Sequence, residues 1–322
     1  MTKFIGRRIK VGIGKEAVRG VGVVPSYWLN CLSFGFDDKV NRIKSEGGYG
    51  GIWGGDKAFT TNKYAEGDVE AEMGDKSFGL ILLAALGEVS SAVFSGANKH
   101  TYSLQNDNQH DSLSITTEDP IGDLIFELSM INSLVIDITP EDLVKYTVNF
   151  MSKASQSSSI AATYSAENKF LGRHLTFKVG NTTADLTAAS KICLTKLTLT
   201  IEKNAEFHNC LGSIQPADII NKMFSIKGEL ELAYEDRTWK DYMINATNKA
   251  IRIDLVNTDV TIGTTNPSFR IDLSKVYFEE WDKDAPNDDM ATQKINFEGM
   301  YDLGGNGNVI NDCYVINEDA TY

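Results

Sequence analysis

Apolar and polar residues alternate at every second position along much of this chain. Val69, Ala71 and Met73 interleave with Asp68, Glu70 and Glu72, the spacing of a strand with one wet face. The period then changes. Phe78, Leu80, Ile81, Leu82, Leu83 and Leu86 fit a helix, with Asp75 or Ser77 placed to cap its start and Gly87 where a left-handed residue closes it. Residues 67–87 therefore predict a strand running into a buried helix. Residues 228–248 repeat the pattern at an offset of 161 (228 − 67): Leu230, Leu232 and Tyr234 keep the strand period. Asp236 stands for Asp75, Thr238 for Ser77, Trp239 for Phe78, Ala246 for Ala85 and Asn248 for Gly87. Asn is the other residue that tolerates a left-handed helix end. Matched turn chemistry at both ends of matched periods points to a duplicated strand–helix unit.

The remaining pattern fills in around the two copies. Residues 1–30 read as an extended arm with little core of its own, carrying Arg7, Arg8, Lys15, Glu16, Tyr27 and Trp28; its first ten residues fit a frayed terminus equally well. Leu32, Phe34 and Phe36 predict a half-buried strand, and Leu197, Leu199 and Ile201 its counterpart. Residues 112–117, 124–130, 133–138 and 146–151 read as strands in the first half; 251–255, 260–262, 269–273 and 276–278 do so in the second. Thr147-Val148-Asn149-Phe150 is echoed by Lys294-Ile295-Asn296-Phe297, and Lys3-Phe4-Ile5-Gly6-Arg7 by Lys169-Phe170-Leu171-Gly172-Arg173. Residues 152–168, poor in large apolar side chains, make a linker. The division is thus an arm (1–30), a first repeat (31–151), the linker and a second repeat (169–322).

Composition narrows the function classes. The chain has 322 residues, 42% of them hydrophobic and 23% charged, enough for two domains with real cores. It has no run of about 18 apolar residues to span a membrane and no secretion-signal pattern at its start. A net charge of −13 argues against gripping nucleic acid by its phosphates, and permits a surface past which a polyanion slides. Four cysteines without a CxxC pair read as buried free thiols, and four scattered histidines show no zinc-ligand spacing.

The search for catalytic chemistry finds no nucleophile elbow, HExxH, calcium loop or Walker motif, so neither an enzyme nor a cofactor is expected. The glycine-rich loop 45–59 lacks the Gly-Lys-Ser/Thr ending of a phosphate loop. Its Tyr49, Ile52, Trp53 and Phe59 fit contact with another protein chain better, with a plain flexible loop as the other reading. Glu70, Glu72, Glu229 and Glu231 alternate along strands whose other face is apolar, and read as a solvated face. The acidic run 282–289, interrupted by Pro286, reads as a mobile loop.

Three stretches, VGIGKEAVRGVGVVPSYWL (11–29), GDVEAEMGDKSFGLILLAALG (67–87) and LTKLTLTIEKN (194–204) followed by FSIKGELELAYED (224–236), resemble the tail tube proteins of long-tailed, siphovirus-type bacteriophages. The resemblance implies a mainly β fold with few helices: two tandem tail-tube-like β-sandwich or half-barrel domains, each with a flanking α-helix. It implies a virion structural protein whose partners are copies of itself, as trimeric, pseudo-hexameric rings stacked into a conduit for DNA ejection. The tape measure protein would lie inside, the tail tip and terminator at the ends, with assembly in the host cytoplasm. Arg7, Arg8, Lys15, Glu16, Tyr27, Trp28, Tyr49, Ile52, Trp53 and Phe59 become candidate contacts between subunits or rings, and Glu70, Glu72, Glu229 and Glu231 candidate lumen residues. Other readings are a tail terminator or decoration protein, and a duplicated ligand- or carbohydrate-binding β-module using Tyr49 and Trp53.

Overall fold

The computed structural model describes residues 3–52, 54–304 and 307–322, and is mainly β. In chain order the first half holds β1 (Lys10–Lys15), β2 (Tyr27–Trp28), β3 (Cys31–Phe34), β4 (Asp37–Lys44), β5 (Ala58–Glu72), helix α1 (Ser77–Leu86), β6 (Gly87–Phe94), β7 (Ala97–Leu104), β8 (Leu113–Glu118), β9 (Asp123–Ile138), β10 (Lys145–Lys153) and β11 (Gln156–Ser158). The second holds β12 (Leu175–Gly180), β13 (Lys191–Ile192), β14 (Lys196–Glu202), β15 (Glu206–His208), β16 (Asp218–Ile220), β17 (Ser225–Ala233), helix α2 (Thr238–Ile244), β18 (Lys249–Val256), β19 (Ser268–Asp284), β20 (Thr292–Gly299) and β21 (Ile310–Asn317). Single 3-10 turns at Gly6–Arg8 and Gly172–His174 precede β1 and β12.

One antiparallel run organises the molecule. β3 and β4 pair with β5, and the sheet continues through β10, β9, β14, β17 and β20 to β19. The two halves use the same registers. Gly67 faces Phe150 and Val69 faces Val148; Gly228 faces Phe297 and Leu230 faces Ile295. A Cβ on Gly228 would stand 2.2 Å from the Phe297 ring, so the aromatic occupies the space that a side chain would need. Both long strands bulge at matching places, at Asn132 in β9 and at Glu279 in β19. A second layer is built from β1, β2, β8, β11 and the start of β9, and from β12, β13, β18, the start of β19, β21, β7 and β6.

The apolar face of the run forms the core: Val69, Val148, Phe150, Leu134, Ile136, Leu197, Leu199, Leu230, Ile295 and Phe297 are all buried. Helix α1 is buried on every side, packed by β6, β7 and β9, with the Phe78 ring edge-on to Phe269. Helix α2 lies on β19, where Trp239 meets Phe278 edge-on at 5.5 Å.

Several expectations need correcting. Residues 10–16 are core and not a loose arm: Val11 and Ile13 are buried in β1, and the buried Glu16 carboxylate accepts hydrogen bonds from Leu128 N, Gly20 N, Ser112 Oγ and Ser114 Oγ. Neither Asp75 nor Ser77 caps α1. Glu167 Oε1 accepts from Ser77 N at 2.6 Å, while Asp75 accepts from Asn168 N and Nδ2. Gly87 is left-handed as expected (φ 97°), but after α2 that conformation falls on Ala246 (φ 49°), not Asn248, because α2 is the shorter helix. By pairing, Leu197 and Leu199 match Phe34 and Phe36, two residues from the match that hydrophobic alternation suggests. Residues 260–262 make only an isolated bridge, and Asp282–Asp284 belong to β19, not to a loop. The expected linker is partly sheet, since β10 runs to Lys153 and β11 pairs with β9. All four cysteines are free as expected, but Cys193 and Cys210 are exposed.

Candidate assembly surfaces

Side chains on the far face of this nine-stranded run point away from the core and both helices. Alternation fixes them: if Val69 and Leu230 are core, Asp68, Glu70, Glu72, Glu229 and Glu231 share the other face. Register then aligns them across strands. Glu72 lies beside Lys145, Asp137 and Thr198 follow, and Glu229 and Asn296 continue the row to Glu280. Lys294 Nζ sits 2.7 Å from Glu229 and Lys196 Nζ 3.5 Å from it, so this carboxylate raises the Lys294 pKa. Glu298 and Glu279 likewise push up the pKa of the Tyr277 hydroxyl that donates to them. With Glu202 and Asp282 added, carboxylates outnumber the lysines of this face, which include Lys39, Lys145, Lys196, Lys227 and Lys294. The four expected lumen residues thus lie on one continuous acidic surface, each half-buried.

The run ends in two edges. Among the described residues, β4 pairs with β5 on one side only, and the end of β19 from Tyr277 onward pairs only with β20. β4 is exposed along its whole length, as are Glu279, Glu280 and Asp282–Asp284. Sequence reasoning missed both. β4 carries charge at alternating and adjacent positions alike, and the Glu279 bulge breaks the period of two in β19.

The expected contact residues divide by burial. Arg7 and Arg8 are exposed in the first 3-10 turn, and Lys15 pairs with Asp111 at 2.9 Å. Glu16 and Trp28 are buried, and Trp28 packs near Tyr164, so neither offers a surface. Tyr27 donates to Asp319 and its ring lies against Tyr322. Tyr49, 67% exposed, donates to Asp56; Ile52 is 99% exposed and Phe59 48%. Trp53 lies outside the described residues. No group of His, Cys, Asp and Glu able to hold a metal ion occurs among the described residues, and no described helix is long and apolar enough to cross a membrane.

A family profile described as "Phage tail tube protein" matches residues 6–307. No curated protein matches the chain.

Proposed function

The chain belongs to the phage tail tube protein family, as a virion tail structural protein, and we propose that three copies close into a ring and that rings stack into a DNA conduit. Each chain contributes two copies of one module, 31–151 and 169–322, with β1, β2, the end of β10 and β11 joined to the first module and the rest of 1–30 and 152–168 as connecting segments. The reading is carried by the internal junction between β9 and β14. There Leu199 faces Ile136 and Glu202 faces Ser133. β4 and the end of β19 are the counterparts of β14 and β9 by register, and both are unpaired edges. Lys39 opposes Tyr64 as Glu202 opposes Ser225, and Glu280 opposes Asn296 as Ser133 opposes Asn149. A second copy that repeats the internal junction sets Lys39 against Glu280. Three such junctions close the sheet and remove its edges.

Closure of this kind puts the acidic face inside, opposite the helices, where it keeps DNA from adhering to the wall. The protein works by assembly rather than catalysis. Light scattering and negative-stain microscopy of the purified chain test the proposal: stacked rings support it, and a strict monomer at high concentration overturns it. Lys39→Glu should raise the concentration needed for assembly and Glu280→Lys should restore it, because a directly opposed charge pair contributes about 0.2–1 kcal/mol.

A further inference from the structure

Where the chain passes from its first half to its second, it crosses the corner between β5, β10 and the start of α1. Phe170 is inserted there, 1% exposed. Its N–H donates to Met73 O at 3.3 Å, and its carbonyl accepts from Val144 N at 2.9 Å. Lys169 is bridged opposite Gly74 and Leu171 opposite Leu143. The Gly172–His174 turn follows.

The second half has the same corner without the insert. Tyr234 N donates to Ala291 O at 2.9 Å, as Met73 N does to Val144 O at 2.9 Å. Beside it lies an open cavity of 590 Å³ whose lining includes Leu232, Ala233, Glu235, Asp236, Trp239 and Gln293. Met290, at the place of Leu143, is 64% exposed. The segment that would match the insert is at the other end of the chain. Lys3-Phe4-Ile5-Gly6 reads as Lys169-Phe170-Leu171-Gly172 does and leads into its own 3-10 turn. Phe4 is 42% exposed and Ile5 67%.

We propose that Lys3–Gly6 of one copy docks into this corner of a neighbouring copy, with Phe4 in the place that Phe170 takes within the chain. Ile5 then covers Met290, and Lys3 stands opposite Glu235 as an opposite-charge cross-strand pair. One arrangement accounts for three exposed apolar side chains and for the cavity. The docking rests on the self-assembly proposed above. It adds a strap that ties each junction on the helix side of the sheet.

Directly bridged residues are close enough for a disulfide. In a Cys193→Ser, Cys210→Ser background, Ile5→Cys combined with Met290→Cys should give covalent dimers and trimers on non-reducing gels, at least tenfold above either single variant. Leu143→Cys with Leu171→Cys, closing within one chain, calibrates the geometry. Phe4→Ala should raise the concentration needed for ring assembly at least tenfold with an unchanged melting curve. Rings that form without the cross-link, or with Phe4→Ala at the parent concentration, leave the corner to another occupant and overturn the docking alone. A chain that never assembles overturns both the docking and the ring.

Discussion

Lys203 shows how far one residue can depart from what its type suggests. It is 1% exposed, and its ammonium donates to Ala84 O at 2.7 Å, in the last turn of α1. The contact suits a cation at a helix C-terminus. Burial pushes its pKa down to about 7, with the nearby Arg19 charge adding to the effect. Burial, and then the Lys203 charge, lower His110 in turn to about 4. An unfolded lysine titrates near ~10.4. Below about pH 7 both states carry the proton, so the full cost of burying the charge is present. Between about 7 and 10 the folded state is neutral while the unfolded state still binds a proton, and stability rises with pH. The parent should therefore gain on Lys203→Met by on the order of a few kcal/mol over that range. Urea unfolding at stepped pH values measures the gap; one that stays flat would contradict the assignment.

Among the elements, β1 and the segment before it have separate roles. Val11 and Ile13 pair through β1 with β8 and bury completely, whereas Lys3–Arg8 are exposed. Removing residues 1–24 takes away two large core side chains and the buried Glu16 hub, a loss of several kcal/mol on the scale of about 2–5 kcal/mol per large core truncation. Removing residues 1–8 takes away no core side chain. The shorter deletion should melt like the parent and still fail to form tubes, and the longer should melt well below it. Calorimetry with electron microscopy distinguishes the two, and equal melting of both variants would refute the division.

At the scale of the whole molecule, the acidic face is a property of the run of strands, since no single strand makes it. Glu70 and Glu231 lie on strands from different halves, brought into one surface by the β9–β14 junction. In a closed ring as proposed, reversing both charges leaves the wall acidic overall but puts two cationic spots per chain where DNA would pass. Glu70→Lys with Glu231→Lys should leave assembly intact and slow DNA ejection, most strongly at low salt, where screening is weakest. Ejection at the parent rate would remove the face from the lumen.

The two strand–helix units, their polar and apolar faces and the echo of Thr147–Phe150 at Lys294–Phe297 were legible in the chain itself. Each is a local period or turn chemistry written in neighbouring residues. The family resemblance rested on the same patterns. What folding alone decided was the partner of each strand. Glu16 and Trp28 carry surface-type or interface-type side chains, yet pairing with β8 and packing near Tyr164 bury them. The hairpin of β6 and β7, the strand β21 and the reach of β19 past its bulge gave no clean period. They are stabilised by neighbours distant in sequence, such as Tyr314 opposite Thr101. The two edges and the open corner by Tyr234 are defined by what does not pair there, which no local pattern can record. Sequence periodicity thus determined the two strand–helix units, and long-range register determined which strands pair and which are left at the edges of the sheet.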